Sequence, residues 1–202
     1  MDVTIAIPTF GGVEWVNLAR ERAIPSAEAQ GVPVIHRHAV DLAHARNHAL
    51  ALVETEWVIF LDADDELEPG YVEAMSRGTA DVRGPIARYI DGRRERVWQP
   101  RVFGHTHDCT GECLRDGNWL LIGSAVRTEM LRAVGGWRDF PWSEDWSTWL
   151  RCWKACATFE LIPDAVYRAH VRHDSRNRGA SDEEKAAAHN AILRDAFPEV
   201  AA

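Results

Sequence analysis

The sequence predicts an α/β fold, a mostly parallel sheet flanked by helices, on three observations. Short apolar segments at Val3–Pro8, Val32–His36 and Trp57–Leu61 alternate with helical patterns, as repeated strand-helix units do. The third segment is continuously apolar, which marks a strand covered on both faces of a parallel sheet. It ends abruptly in Asp62-Ala63-Asp64-Asp65-Glu66, at the strand end where open α/β sheets place their ligands. With 202 residues, 46% of them apolar, the length favours one domain with a substantial core.

Each element follows in order. Val3–Pro8 alternates β-branched and small apolar residues until Pro8 stops the ladder, and Gly11-Gly12 opens a turn into a helix from about Val13 that Pro25 interrupts. After the strand at Val32–His36, Asp41 caps a helix carrying Leu42, Ala45, Ala49, Leu50 and Val53 on its apolar side. From Asp81 to Gly104, β-prone stretches carry Arg83, Arg88, Arg93, Arg94, Arg96 and Arg101, a hairpin with a solvated basic face. His105–Asn118 is loop-like, Trp119–Val126 is a buried strand, and Thr128 caps a short helix ending at Gly135-Gly136. Pro141 and Ser143 precede a tryptophan-rich helix to about Cys156. Two short strands, Thr158–Ile162 and Ala165–His170, come next, and Ser181 with Glu184 forms a capping-box pattern for a terminal helix.

Composition excludes several classes. Acidic residues outnumber basic ones by 31 to 23, and the net charge of −8 argues against generalised nucleic-acid binding while leaving room for a local basic patch. The apolar run Trp57–Leu61 falls far short of the roughly 20 residues of a membrane span, and the N-terminus has no signal-like stretch, so a cytoplasmic protein is expected. Four cysteines are too few for a disulfide scaffold. His105, His107, Cys109 and Cys113 place four zinc-compatible ligands in one loop, which reads as a structural Zn²⁺ site, a local disulfide or two unrelated thiols.

Alternation along a strand puts Asp62 and Asp64 on the same side of its end, and two convergent carboxylates suit Mg²⁺ or Mn²⁺, with phosphate oxygens and water completing the shell. A metal-bound diphosphate is the natural ligand. Around this pair the order of IAIPTF, AHARNHAL, WVIFLDADDELEPGYVEAM, LLIGSAVRTEMLRAVGGW, SEDWSTWLRCW and YRAH resembles the inverting glycosyltransferases of family 2, which have the GT-A nucleotide-sugar fold. The resemblance runs from about Val3 to His170. It implies one GT-A domain over residues 1–202, with a nucleotide-binding half of about 1–80, an acceptor half of about 81–180 and a C-terminal helix of about 181–197.

The activity implied is metal-dependent, inverting transfer of a sugar from a UDP-, GDP- or dTDP-sugar to an acceptor hydroxyl. On this resemblance Asp62 and Asp64 form the D-x-D motif on Mn²⁺ or Mg²⁺, Pro8, Thr9 and Phe10 lie beside the nucleotide, and Arg46 and Asn47 lie near the nucleotide or diphosphate. His170 approaches the metal or diphosphate. Glu144 and Asp145 match the E-D motif, with Asp145 as general base; at a helix N-terminus the dipole favours its anion, so it is expected to be ionised at neutral pH.

Six of the nine tryptophans lie between Trp119 and Trp153. Trp137, Trp142 and Trp146 flank the base and are the expected acceptor contacts, whereas Trp149 and Trp153 share a buried helix face. One departure stands out: the family's acidic D-D-x-S segment is replaced by GVPVIHRHAVDLAHARN, so Asp41 or the nearby histidines substitute, or the base is held loosely. Two alternatives remain. A sugar-nucleotide nucleotidyltransferase would usually carry a glycine-rich N-terminal loop with a lysine, absent from IAIPTFGG. A degenerate sugar- or nucleotide-binding module is suggested by the missing acidic segment and opposed by the retained D-x-D and E-D pairs.

Overall fold

Strands covered on both faces organise the chain. In the computed structural model, which describes residues 1–99, 112–172 and 181–198, β1 (Val3–Phe10) runs between β2 (Val34–Ala39) and β3 (Trp57–Phe60), parallel to both. Every residue of β3 is buried, as its continuous apolar pattern requires. Pro8 does not end β1. The Ile5 N–H bonds the Pro33 carbonyl at 2.9 Å on the β2 side, so alternation turns the Pro8 nitrogen to the β3 side, beyond Ala6, where pairing with β3 has finished. No ladder bond is lost there.

Pro25 does not break its helix either. Between α1 (Val13–Leu18) and α2 (Ile24–Glu28) the segment Ala19–Ala23 is π-helical, with the Ile24 N–H bonded to the Ala19 carbonyl, and the wider turn carries the chain past the proline. α3 (Leu42–Ala51) is capped by Asp41, whose carboxylate accepts the His44 N–H at 2.8 Å. β4 (Glu66–Leu67) and α4 (Tyr71–Ser76) follow. The arginine-rich segment forms the hairpin of β5 (Val82–Asp91) and β6 (Arg94–Trp98), turned at Gly92 with φ 60°.

Trp119–Val126 is not one strand. Only β7 (Ala125–Arg127) pairs, while the Ser124 N–H bonds the Leu121 carbonyl in a turn, and a Cβ at Gly123 would come within 2.3 Å of the Tyr167 ring. Close packing of this buried turn, with no ladder partner, decides its course. Arg127 rather than Thr128 is the N-cap of α5 (Thr128–Ala133). α6 is Glu144–Lys154. The two short strands expected after it are one bulged strand, β8 (Phe159–His170), whose Ile162 and Val166 pair with consecutive residues Pro85 and Ile86. α7 (Asp182–Ala196) has the full capping box: Glu184 N–H to the Ser181 hydroxyl at 3.2 Å and Ser181 N–H to Glu184 at 2.8 Å.

Among the described residues the strand order is β2-β1-β3-β7-β5-β8-β4, with β6 on β5. The sheet is α/β and mixed: β5 and β8 pair in parallel, but β7 runs antiparallel to β3 and β5, and β4 antiparallel to β8. Because β1, β2, β3, β5 and β8 share one direction, Thr9, Asp62 and His170 reach the same edge of the sheet. No helix among the described residues is long and apolar enough to cross a membrane.

Candidate active site

The acidic turn is tied to the end of β8. Leu61 makes the last backbone bond to β1, 2.9 Å from the Ala6 carbonyl, and Asp62 to Asp65 close a turn through the Asp65 N–H and Asp62 carbonyl at 3.2 Å. Tyr167 stands across it, accepting the Asp62 N–H at 3.3 Å and donating its hydroxyl to Asp65 at 2.8 Å. Asp65 also accepts the His170 N–H at 2.8 Å, and the His170 Nε2 meets Glu66 at 2.6 Å. One nitrogen of the imidazole expected near the metal or diphosphate is therefore engaged by a carboxylate. Burial and the neighbouring charge of Asp62 hold the Asp64 carboxyl above its usual range; burial, then Asp64 and Asp62, push Asp65 further up.

Arg46 links this turn to the acceptor side. Only 1% exposed, it donates to Glu144 at 2.8 Å and to Asp62 at 3.1 Å, and its guanidinium lies 4.6 Å from the centre of the Trp137 ring. Burial opposes its charge, but Glu144 and Asp62 more than offset this and raise its pKa. Asn47 clamps the Trp137 backbone, donating to its carbonyl at 2.8 Å and accepting its N–H at 2.9 Å. The pair expected near the nucleotide or diphosphate also braces the site: Arg46 bonds two carboxylates while lining the same cavity as both, and Asn47 bonds a main-chain segment.

Ser143 holds the start of α6 in the left-handed conformation, φ 54° and ψ 35°, a strained setting for a residue with a Cβ. Asp145 follows, its carboxylate accepting the Asn118 side-chain amide at 3.1 Å and the Trp146 N–H at 2.8 Å. Burial and then Glu144 push its pKa up to about 7, against the opposing pull of Arg46. The expectation that the helix terminus alone keeps it fully ionised is therefore corrected: desolvation and a like charge outweigh the dipole. Asp145, Glu144, Asp62 and Asp65 line one cavity of about 410 Å³, with Asn118, Trp142 and Lys185 on its wall.

Of the three tryptophans expected at an acceptor, only Trp142 lines this cavity. Trp137 is 3% exposed, edge-on to Phe60 and Trp149 at centroid distances of 4.9 and 5.8 Å, and Trp146 is fully buried, bonding the Leu114 carbonyl at 2.6 Å and stacked on His189. Both are core residues. Sequence pattern could not separate them from Trp142, because all three lie within ten residues of one another around the turn into α6.

At the end of β1, Pro8 and Thr9 lie in the strand and Phe10 stacks on Trp15 at 6.4 Å. Thr9 is buried, its hydroxyl 2.9 Å from His36 Nε2 and 3.1 Å from His38 Nδ1. These histidines occupy the strand end where the family's acidic segment would stand, while both oxygens of Asp41 are used by His44, at 2.8 and 2.7 Å. His105, His107 and Cys109 lie outside the described residues. Cys113 is disulfide-bonded, the alternative the sequence left open, and a disulfide sulfur offers no thiolate to zinc; Cys152 and Cys156 are free thiols. Among the described residues no group of three or more His, Cys, Asp or Glu is placed to hold a metal.

Sequence reasoning missed four contributors. Asp65 and Tyr167 lay within motifs already singled out, so their hydrogen bond could have been suspected; Asn118 and Lys185 carry no sequence signal.

The fold is that of GT-A glycosyltransferases. TarS of S. aureus, residues 1–349 in complex with UDP-GlcNAc, superposes with a TM-score of 0.74 at 16% identity, covering 99% of this chain and 66% of that one. A second structure of S. aureus TarS 1–349 gives 0.68 at 15%, covering 98% and 66%, and a structure of S. aureus TarS gives 0.66 at 15%, covering 98% and 40%. The chain thus spans about two thirds of TarS 1–349 or less. The sequence pattern of Glycosyl transferase family 2 matches residues 17–131, and the chain belongs to that family. No curated protein sequence matches it.

Proposed function

We propose that the protein is a metal-dependent, inverting glycosyltransferase that moves a sugar from a nucleotide-diphosphate donor to an acceptor hydroxyl. The observation that carries this reading is one cavity holding the Asp62 end of the acidic turn and, on a different element, a carboxyl with a pKa of about 7. Residues of about 1–80 form the nucleotide half and those of about 81–180 the acceptor half.

The acidic turn fits a divalent cation. Asp62 and Asp64 offer hard oxygen donors, and both the burial that raises Asp64 and the repulsion from Asp62 that adds to it are offset by a nearby positive charge. Two protein carboxylates also match an ion whose other positions go to phosphate oxygens and water. Asp64, with Asp62 assisting, would hold Mn²⁺ or Mg²⁺, and bound there the ion supplies charge to the departing diphosphate. His170, through Glu66, supports the turn from behind.

On the acceptor side Asp145 takes the proton of the attacking hydroxyl, and its pKa near neutrality suits that task. Arg46 keeps Glu144 and Asp62 apart in a fixed arrangement, and Trp142 offers an indole to the apolar face of a sugar. A single displacement inverts the anomeric centre. UDP-, GDP- and dTDP-sugars are all candidate donors, and UDP-GlcNAc, the ligand of the TarS structure, is the first to test. The decisive assay is nucleotide release from a donor panel with and without Mn²⁺: release supports transfer, whereas stabilisation by ligand without release would favour the binding module.

Two results follow. Asp64→Ala should remove Mn²⁺-dependent affinity for the nucleoside diphosphate, read by calorimetry, with little change in melting temperature because Asp64 lies on a half-buried turn outside the hydrophobic core. Unchanged Mn²⁺-dependent affinity in a folded variant would take Asp64 out of the site. The pH profile of kcat/KM should fall about tenfold per unit below pH about 7 and level off above it, since a base works only when ionised. A profile flat from pH 5.5 to 8 would contradict Asp145 as the base.

A further inference from the structure

Beyond the transfer cavity lies a second one, of about 290 Å³, and the two share Trp142, Ser143 and Lys185 as a common wall. The far side of the second cavity belongs to α7, through Ala186, Ala188 and His189. This helix is fixed in place. Ala188, Ile192 and Ala196 are buried, Asp195 pairs with Arg138 and accepts the Ser147 hydroxyl at 3.4 Å, and His189 stacks on Trp146 at 4.0 Å with an interplanar angle of 17°. The second cavity thus lies between the turn that enters α6 and the first half of α7, beside the cavity that holds Asp145 and sharing three of its lining residues.

Its lining has a definite chemistry. An indole and an imidazole supply ring surface, while a lysine ammonium and a serine hydroxyl supply hydrogen-bonding groups. Sugars present that same combination, an apolar C–H face bordered by hydroxyls. A lipid chain would leave the ammonium and hydroxyl without partners, which is costly once water is displaced. The acidic floor of the first cavity, Asp62, Asp65, Glu144 and Asp145, holds the reacting groups, so a unit placed against α7 lies outside the transfer step.

We propose that the acceptor is a saccharide chain of at least two units, whose first unit presents its hydroxyl to Asp145 and whose second occupies the cavity walled by α7. The inference rests on the sugar-transfer reading and names its acceptor class. Trp142 lies at the junction of the two units, and Lys185 is the specificity-determining residue there, its ammonium donating to oxygens of the chain.

The test uses the full chain, the sugar nucleotide identified by the donor panel, and matched methyl glycosides of one and two hexose units: glucose, galactose, mannose and N-acetylglucosamine with their disaccharides. In the wild type, kcat/KM for the best disaccharide should exceed that for its one-unit partner by at least about tenfold, equivalent to about 1.4 kcal/mol. Ala186→Leu fills the second cavity from an exposed helical position with a good helix former, and should bring this ratio close to one. Lys185→Gln should raise KM for the disaccharide more than it lowers kcat. Melting curves of both variants report the fold. Equal kcat/KM for one and two units throughout the panel, or a ratio that folded Ala186→Leu leaves in place, overturns the second subsite while leaving sugar transfer standing. If no donor releases nucleotide with any acceptor, the transfer reading itself fails and this inference goes with it.

Discussion

Arg46→Met is expected to lower the stability of the protein by about 3 kcal/mol, the lower end of the cost of removing one partner from a buried ion pair. Two features set the size. The Glu144 side chain is 12% exposed and would lose the guanidinium it is bonded to, which argues for a large loss; Asp62 is 35% exposed and can turn to water, which limits it. Methionine fills similar volume, so a cavity contributes little, but contact of the guanidinium with Trp137 is also lost. Denaturant unfolding measures the change, and Arg46→Met combined with Glu144→Gln should recover much of it because the carboxylate that lost its arginine is then neutral. Lysine at 46 keeps the charge but not the fork that reaches two carboxylates, so it should rescue only in part. A loss under about 1 kcal/mol in the single variant would mean that Arg46 does not brace the site.

Such a brace shows why part of the site could be read from sequence and part could not. The D-x-D and E-D pairs are local: each lies within a few residues, and strand alternation or a helix start fixes how its members project. Arg46 meets its partners 16 and 98 residues away along the chain, a pairing no periodicity encodes. Its motif placed it near the nucleotide or diphosphate; the structure adds that it also bonds Asp62 and Glu144 while lining the cavity.

The same division runs through the fold. β1, β3 and α3 were legible because they bury one stripe or both faces, and α7 because its capping box is a four-residue signal. Pro8 and Pro25 misled in the same way: each lacks a donor, but neither sits where a donor is needed, one facing past the end of β3 and the other following a π-turn. The antiparallel β7 escaped because it is three residues long and its apolar neighbours Leu120 and Ile122 are buried without being paired. Burial alone leaves a mark in the sequence, and the choice between a strand and a packed turn was made by Tyr71 and Tyr167 closing on Gly123.

Asp145→Asn should reduce sugar transfer by roughly 10²-fold or more while leaving donor and metal affinity near wild type. Asparagine keeps the shape and can still accept one hydrogen bond from the Asn118 amide or the Trp146 N–H, but it takes up no proton. Stability separates this from a purely structural role. The Asp145 pKa of about 7 lies above the ordinary carboxylate value of 3.8, so the folded state binds the proton more tightly than the unfolded chain, and stability falls as pH rises from about 4 through 7. At pH 8 the ionised side chain therefore opposes folding, and a neutral amide removes that opposition. The variant should melt no lower than wild type at pH 8, even as nucleotide release with saturating acceptor collapses, and the fall of rate below pH 7 should disappear with it. Had Asp145 served only to stabilise the start of α6, its replacement would cost a few tenths to about 1 kcal/mol and leave turnover intact. A folded Asn variant with near-normal turnover would remove the general-base assignment, and Glu144, already bound to Arg46 at 2.8 Å, is poorly placed to inherit it.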